Sequence, residues 1–286
     1  MAELEMRLTE HLRRYGLRHF DDDTYWEWAS EKLGKKRGST VEKLRAPSAG
    51  GNETPTERLR FYDYIADIAV GGPVYSQQTD DIAQATHTVT EVIAGCERVL
   101  DLGCAVGYAT TWFAIAGGAE RDVLGVDVSR RAVEVARTMA QQIGVRNARF
   151  VEMDIDRELP SGPFDAVVDM AAVQYSESFE AVIRRIKNVL SPEGVFVTVP
   201  QLGTAPEIRV FISAVERSGL HLHGFSWVYA CDLGHNVARP IMTWRLLGGG
   251  ISVDLLSELR ATRERLAGRI RPFREIEANQ QTSESE

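Results

Sequence analysis

Nine residues constrain this chain more than any other stretch: Val99-Leu-Asp-Leu-Gly-Cys-Ala-Val-Gly107. Val99, Leu100 and Leu102 supply a buried strand, Gly103 and Gly107 bracket a turn, and Tyr108 to Ala116 continue with helical composition. Glycine is needed where backbone turns tightly or lets a ligand approach without a Cβ in the way. A helix beginning there points free N–H groups into the crevice beyond the strand. Several nucleotide sites use such a unit. A P-loop needs Gly-Lys-Ser/Thr after its glycines, and this turn has no lysine. A dinucleotide site needs Gly-x-Gly-x-x-Gly, whereas the spacing here is Gly-x-x-x-Gly. Asp101 stands two residues before the first glycine. A carboxylate there repels a pyrophosphate and attracts a cation.

The next two strands end in the same chemistry. Asp122-Val-Leu-Gly-Val-Asp127 reads as a strand closing on an acid about twenty residues past the turn. Ala148-Arg-Phe-Val-Glu-Met-Asp154 closes on another. Asp101-x-Gly103-x-x-x-Gly107 resembles the first motif of the class I S-adenosylmethionine (SAM) dependent methyltransferases, and the two later strand ends agree with that resemblance. SAM is a sulfonium cation with an ammonium, one carboxylate and no phosphate, which suits acids without a base. The resemblance implies that Asp127 accepts hydrogen bonds from both ribose hydroxyls. It implies that Asp154 holds the adenine amino group, with Ile155 against the ring. The implied cofactor-binding set is Asp101, Gly103, Cys104, Gly107, Asp127, Val128, Asp154, Ile155 and Asp169. Cys104 reads as a small apolar filler in the turn. The resemblance covers residues 97–200 and matches the flanks in outline only.

The length of 286 residues suits one large domain or one domain with additions. A formal net charge of −8 argues against a nucleic-acid partner. The apolar runs fall short of the roughly 20 residues of a membrane span, and the N-terminus carries no secretion signature. Three cysteines, Cys96, Cys104 and Cys231, are too few and too unpatterned for a disulfide frame or a zinc site. The expectation is a cytoplasmic protein with a small-molecule substrate and neither membrane nor nucleic-acid partner; a homodimer is left open.

Residues 1–95 read as helical and lie upstream of the nucleotide core. Leu4, Leu8, Leu12 and Tyr15 share one helical face, and a second helix runs from a cap at Asp22 or Asp23 to a stop at Gly34. Lys35 to Pro55 reads as a flexible loop. A helix from Thr56 is expected to end at Gly71-Gly72-Pro73, and another, through Ile82 and Val89, at Gly95. Tyr25, Trp26, Trp28, Phe61, Tyr62, Tyr64 and Tyr75 make this segment aromatic-rich; packing onto the core is the favoured reading for most of them, while helices on a tethering loop also suit a lid that excludes water.

Past the turn, strand and helix alternate. A helix runs from a Ser129 cap to Gly144, and strands run at Phe164–Val173 and Gly194–Pro200. Two final strands, roughly Leu222–Tyr229 and Ile241–Leu247, flank a loop containing Gly234-His-Asn236 and are expected to pair antiparallel. The alternation reads as α/β, and the methyltransferase resemblance implies a Rossmann-like, seven-stranded, mostly parallel sheet with one antiparallel strand, flanked by helices. The expected division is a helical lid over 1–95, a SAM-binding catalytic domain over 96–250, and a C-terminal helix with polar tail over 251–286.

Methyl transfer needs alignment of acceptor, carbon and sulfur, and sometimes removal of a proton. Gln174 and Tyr175, after the fourth strand, are the candidates for the acceptor side; alternatively Asp169 caps that strand and Tyr175 packs under the lid. His235 is the candidate base, with His87, His221 and His223 weaker by position. No spacing of acids and histidines calls for a metal. The metal-binding acids of catechol-type enzymes and the Asn/Asp-Pro-Pro-Tyr/Phe signature of nucleic-acid amino methylases are both absent after the fourth strand. The resemblance is therefore to methyltransferases of small-molecule metabolism, with S-adenosylhomocysteine as product. A SAM-consuming cyclase that closes azetidine-2-carboxylate and releases methylthioadenosine would hold SAM alike, and so would a non-catalytic SAM-binding protein.

Overall fold

The computed structural model describes residues 2–14, 22–49, 54–75, 79–202, 205–232, 235–248 and 250–253. Its centre is a seven-stranded sheet in the order β3-β2-β1-β4-β5-β7-β6. The strands are β1 (Arg98–Leu102), β2 (Asp122–Asp127), β3 (Ala148–Glu152), β4 (Phe164–Asp169), β5 (Leu190–Thr198), β6 (His221–Asp232) and β7 (His235–Arg245). The first five pair in parallel, and β7 runs antiparallel to both of its neighbours, β5 and β6.

Two-residue periodicity divides the core. Val99, Val123, Ala166, Val168, Val195 and Val197 face one layer. Leu100, Leu102, Val126, Val167 and Phe196 face the other. The first layer is covered by α5 (Thr79–Val92), α6 (Tyr108–Gly117) and α7 (Arg130–Ile143), the second by α8 (Phe179–Val189) and α9 (Ala205–Arg217). Helices on both faces explain why these strands read as continuous apolar runs. α7 is capped as its sequence predicts: the Ser129 hydroxyl accepts from the Ala132 N–H at 3.1 Å.

Upstream lie α1 (Ala2–Arg14), α2 (Asp22–Ala49), α3 (Pro55–Ile65) and α4 (Ile68–Tyr75). Leu8 of α1 is fully buried in the first layer, and α2 packs on α3 and α4. Three expectations are corrected here. Gly34, at φ 68°, interrupts α2 as a kink, but the helix resumes to Ala49 where a loop was expected. The reason is a spaced set of half-buried positions, Val41 and Leu44, within the polar run. Gly71-Gly72-Pro73 does not end the preceding helix. The break falls at Ala66–Asp67, where the Asp67 carboxylate accepts from the Ala69 N–H at 2.9 Å, and the glycines lie inside α4. The β6–β7 ribbon is longer than expected, with Asp232 paired to His235 and Cys231 to Asn236, so positions read as loop belong to the ladder. The final helix expected from Ser252 lies almost wholly outside the described residues.

Candidate functional site

A cavity of about 900 Å³ opens beyond the carboxyl ends of the parallel strands. That is where an open α/β sheet binds ligands, and the volume lies toward the upper end of the roughly 300–1,000 Å³ typical of small-molecule sites. Its floor is the turns after β1 to β5. Its roof comes from α3, α4 and α5, with Arg45 of α2 at the edge.

Of the residues expected to bind cofactor, Asp101, Gly103, Cys104, Asp127, Val128, Asp154 and Ile155 line this cavity. Asp101 is 2% exposed and accepts a 2.5 Å hydrogen bond from the Thr110 hydroxyl. Burial pushes its carboxyl up to about 7 against that bond, and the carboxylates of Asp169 and Asp127 push the same way. Asp127 accepts from the N–H groups of Ala105 (2.9 Å) and Ser129 (2.8 Å), one at each oxygen. Burial raises its carboxyl above the ordinary value despite those two bonds. Asp127 thus sets the shape of the glycine turn as well as facing the cavity. Val128 is 46% exposed, an apolar side chain open to the space above β2. Asp154 accepts from the Asp156 N–H and pairs with Arg157 at 3.2 Å. Burial holds the Cys104 thiol well above its ordinary value, so it stays protonated.

The two glycines serve different ends. A Cβ on Gly103, at φ 68°, would stand 2.3 Å from the Ala172 Cβ, so this glycine lets the β1 turn meet the β4 turn. A Cβ on Gly107 would strike Ala136 and the Phe150 ring at 2.7 Å. Gly107, at φ 83°, is therefore both a turn glycine and a packing position behind the wall. Two alanines beside the cavity, Ala105 (φ 46°) and Ala171 (φ 68°), also hold left-handed backbone. Such residues cost about 1–3 kcal/mol each and persist where surroundings over-determine them.

Asp169 is fully buried and does not line the cavity; its Oδ1 accepts from the Ala172 and Val173 N–H groups, capping the turn after β4. Burial raises this carboxyl to about 6. Tyr175, in a single 3-10 turn at Val173–Tyr175, does line the cavity. Its hydroxyl donates to Gln201 Oε1 at 3.0 Å, while Gln174 Oε1 accepts from the Gln201 N–H at 2.6 Å from behind the wall. His235 opens β7, and its side chain lies outside the described residues. His87 is exposed, its ring edge-on to Trp112, and His221 and His223 are exposed on β6. Among the described residues no histidine lines the cavity and no group of acids, histidines and cysteines is arranged to hold a metal.

Several contributors carry no local signal. Arg58 of α3 donates to the Tyr175 carbonyl at 2.6 Å and lies 4.8 Å over its ring. Asp63 of α3 accepts a 2.5 Å bond from the Ser129 hydroxyl. Asp156 accepts from the Glu177 and Ser178 N–H groups, joining the turn after β3 to the one before α8. These pairs meet only in the folded chain, so no spacing marks them.

A family model described as a methyltransferase domain matches residues 95–202. YcgJ of Bacillus subtilis (strain 168), an uncharacterized methyltransferase, is 31% identical over 122 residues, 42% of this chain and 47% of that one. The methyltransferase GfsG of Streptomyces halstedii is 32% identical over 124 residues, covering 40% and 44% respectively. The chain spans about half the length of these curated relatives. A solved 1,6-didemethyltoxoflavin-N1-methyltransferase of Burkholderia thailandensis, with bound 1,6-didemethyltoxoflavin and S-adenosylhomocysteine, aligns with a TM-score of 0.52. At 19% identity, over 68% of this chain and 90% of that one, it speaks for the fold.

Proposed function

Residues 95–202 form a class I SAM-dependent methyltransferase domain, and from that premise we propose that the chain transfers a methyl group from SAM to a small molecule held under its N-terminal helices. One observation carries this reading. The cavity wall beyond β1, β2 and β3 presents Asp101, Asp127, Asp154 and Asp156 against one guanidinium, Arg157, which is paired with Asp154. That donor set fits a cationic adenosyl ligand and disfavours a phosphate.

SAM supplies a methyl carbon already activated by positive sulfur, with a neutral thioether as the leaving group. The chain's own contribution is to bind, align and exclude water. In this reading Asp127 keeps a lone pair on each oxygen for the ribose hydroxyls after satisfying Ala105 and Ser129. Asp154 and Ile155 take the adenine. Asp101 balances cationic charge at the glycine turn, and Tyr175 faces the acceptor. Asp169 and Gln174 act through the turns they hold. The N-terminal helices are the lid: Arg58 on Tyr175 and Asp63 on Ser129 fasten α3 across the opening. The molecule bound to the Burkholderia thailandensis enzyme supports a small-molecule acceptor. Among the described residues no helix is long and apolar enough to cross a membrane.

The test is product identification by mass. S-adenosylhomocysteine formed only when an acceptor from a metabolite panel is added supports transfer. Methylthioadenosine formed from SAM alone at an enzyme-dependent rate would replace transfer by cyclisation. Tight SAM binding without turnover across the panel would leave a binding protein.

A further inference from the structure

One part of the cavity wall is built without a charged side chain. It lies on the face of the sheet covered by α5 and α6, and its residues are Ile82 and Ala85 of α5, Tyr108 and Ala109 of α6, Met170 after β4 and Val199 after β5. All but Ile82 belong to the first layer of the core. Identifiable contacts bring these segments together. The Thr86 hydroxyl, one residue past Ala85, donates to the Ile82 carbonyl at 2.6 Å and stands 4.0 Å from the Met170 sulfur. The Val199 N–H donates to the Asp169 carbonyl at 2.8 Å, which sets Val199 beside Met170. Trp112 joins α6 to α5, its ring 4.4 Å from His87 and 6.5 Å from Tyr108.

The Tyr108 hydroxyl is the one side-chain oxygen or nitrogen in this set. Burial of the ring pushes its phenol up to about 12, and among the described residues it has no hydrogen-bond partner. It therefore keeps its proton near neutrality and is a donor rather than a base. Tyr175 differs, because its hydroxyl already donates to Gln201. Asp101, the acid of the same layer, is 2% exposed and bonded to Thr110, and in the reading above it meets the cofactor.

Resting on the proposed transfer to a small molecule, we infer that the acceptor is uncharged: an apolar body lies against Ile82, Ala85, Met170 and Val199, and one neutral oxygen, a carbonyl or ether, accepts from the Tyr108 hydroxyl. A charged group seated among these side chains would lose its hydration with no opposite charge among them to replace it. An apolar body gains by the same burial. The flexible Met170 thioether lets the wall fit bodies of different outline. Tyr108 is then the residue that fixes how the acceptor is turned.

The test uses the full chain and four probes that share one apolar body: the ketone 2-acetonaphthone, the hydrocarbon 2-ethylnaphthalene, the anion 2-naphthoate and the cation 2-naphthylmethylammonium. Calorimetry first measures S-adenosylhomocysteine uptake, which examines the cofactor reading by itself. Equilibrium dialysis of the loaded protein then ranks the probes. The ketone is expected to bind about tenfold tighter than either charged probe. Tyr108→Phe is expected to weaken the ketone about fivefold, to the level of the hydrocarbon, with S-adenosylhomocysteine affinity unchanged. Ile82→Ala is expected to weaken ketone and hydrocarbon alike. A charged probe that binds as tightly as the ketone, or a ketone that does not bind, overturns the inference. So does a Tyr108→Phe chain that holds the ketone as well as wild type, or one that loses S-adenosylhomocysteine, which would give the hydroxyl to the cofactor. If S-adenosylhomocysteine itself does not bind, dialysis of the unliganded chain still ranks the four probes, so the two readings fail separately.

Discussion

The two halves of the cavity are built in different ways. Beyond β1 to β3 each acid lies in or just past its own strand, so its place is written in that strand's own segment. Beyond β4 to β7 the wall is assembled from α3, the 3-10 turn, the residues after β5 and the middle of the β6–β7 ribbon. A local code serves a ligand whose charges are fixed, and an assembled wall leaves the second ligand to be set by distant parts of the chain. Substitutions should therefore act unequally in the two halves.

The largest effect is expected at Asp127. Its removal in Asp127→Ala leaves the Ala105 and Ser129 N–H groups without their partner, at about 1–3 kcal/mol for each buried group left unsatisfied. In the proposed role it also deprives the ribose of its acceptor. Calorimetry should show SAM affinity falling by about a hundredfold or more, with Asp127→Asn intermediate. Gly103→Ala comes next. Its Cβ meets Ala172 at 2.3 Å in backbone of positive φ, for a loss of about 1–3 kcal/mol that chemical denaturation would measure. Gly103→Ala with unaltered stability would show that the β1 and β4 turns are not in contact.

A third effect is one of pH. The Asp101 carboxyl is raised from 3.8 to about 7 in the folded chain, so across that window the folded state keeps a proton that the unfolded state has released. Its contribution to unfolding free energy therefore falls as pH rises from the lower value to the upper, and is flat above it. Asp169 acts with the same sign up to about 6. Relative to wild type, Asp101→Asn should gain stability as pH rises through this window, read from denaturation midpoints. A cationic ligand favours the ionised carboxyl, so SAM binding should strengthen between about pH 6 and pH 8 and release protons. Calorimetry in two buffers of different ionisation enthalpy measures that release.

The smallest effects belong to the lid. Ser129→Ala removes the cap of α7 together with the bond to Asp63, and should cost about 1 kcal/mol of stability. Asp63→Asn disturbs only the tie between α3 and α7 and should cost less. Equal losses in the two would mean that lid docking, rather than the cap, holds Ser129 in place.

The same contrast explains what could be read from the sequence. The parallel strands are legible as apolar runs and the acids at β1, β2 and β3 as their ends, whereas the topology of the sheet came with the family resemblance. Gly107 was readable as a turn glycine, and it stands at φ 83°, but its packing role was not readable, since Phe150 and Ala136 reach it from 43 and 29 residues away. Lys35–Ala49 looked like a loop because its helix rests on contacts with α3 and α4 rather than on a strong apolar stripe of its own. Arg58 and Gln201 gave no signal: each is an ordinary polar residue until the fold sets it beside Tyr175.

Calorimetric titration of the purified chain with SAM, NAD and ATP tests the acidic strand tips most directly. Uptake of SAM alone, weakened sharply by Asp127→Asn, is the predicted result. Uptake of NAD or ATP with no response to SAM would contradict it.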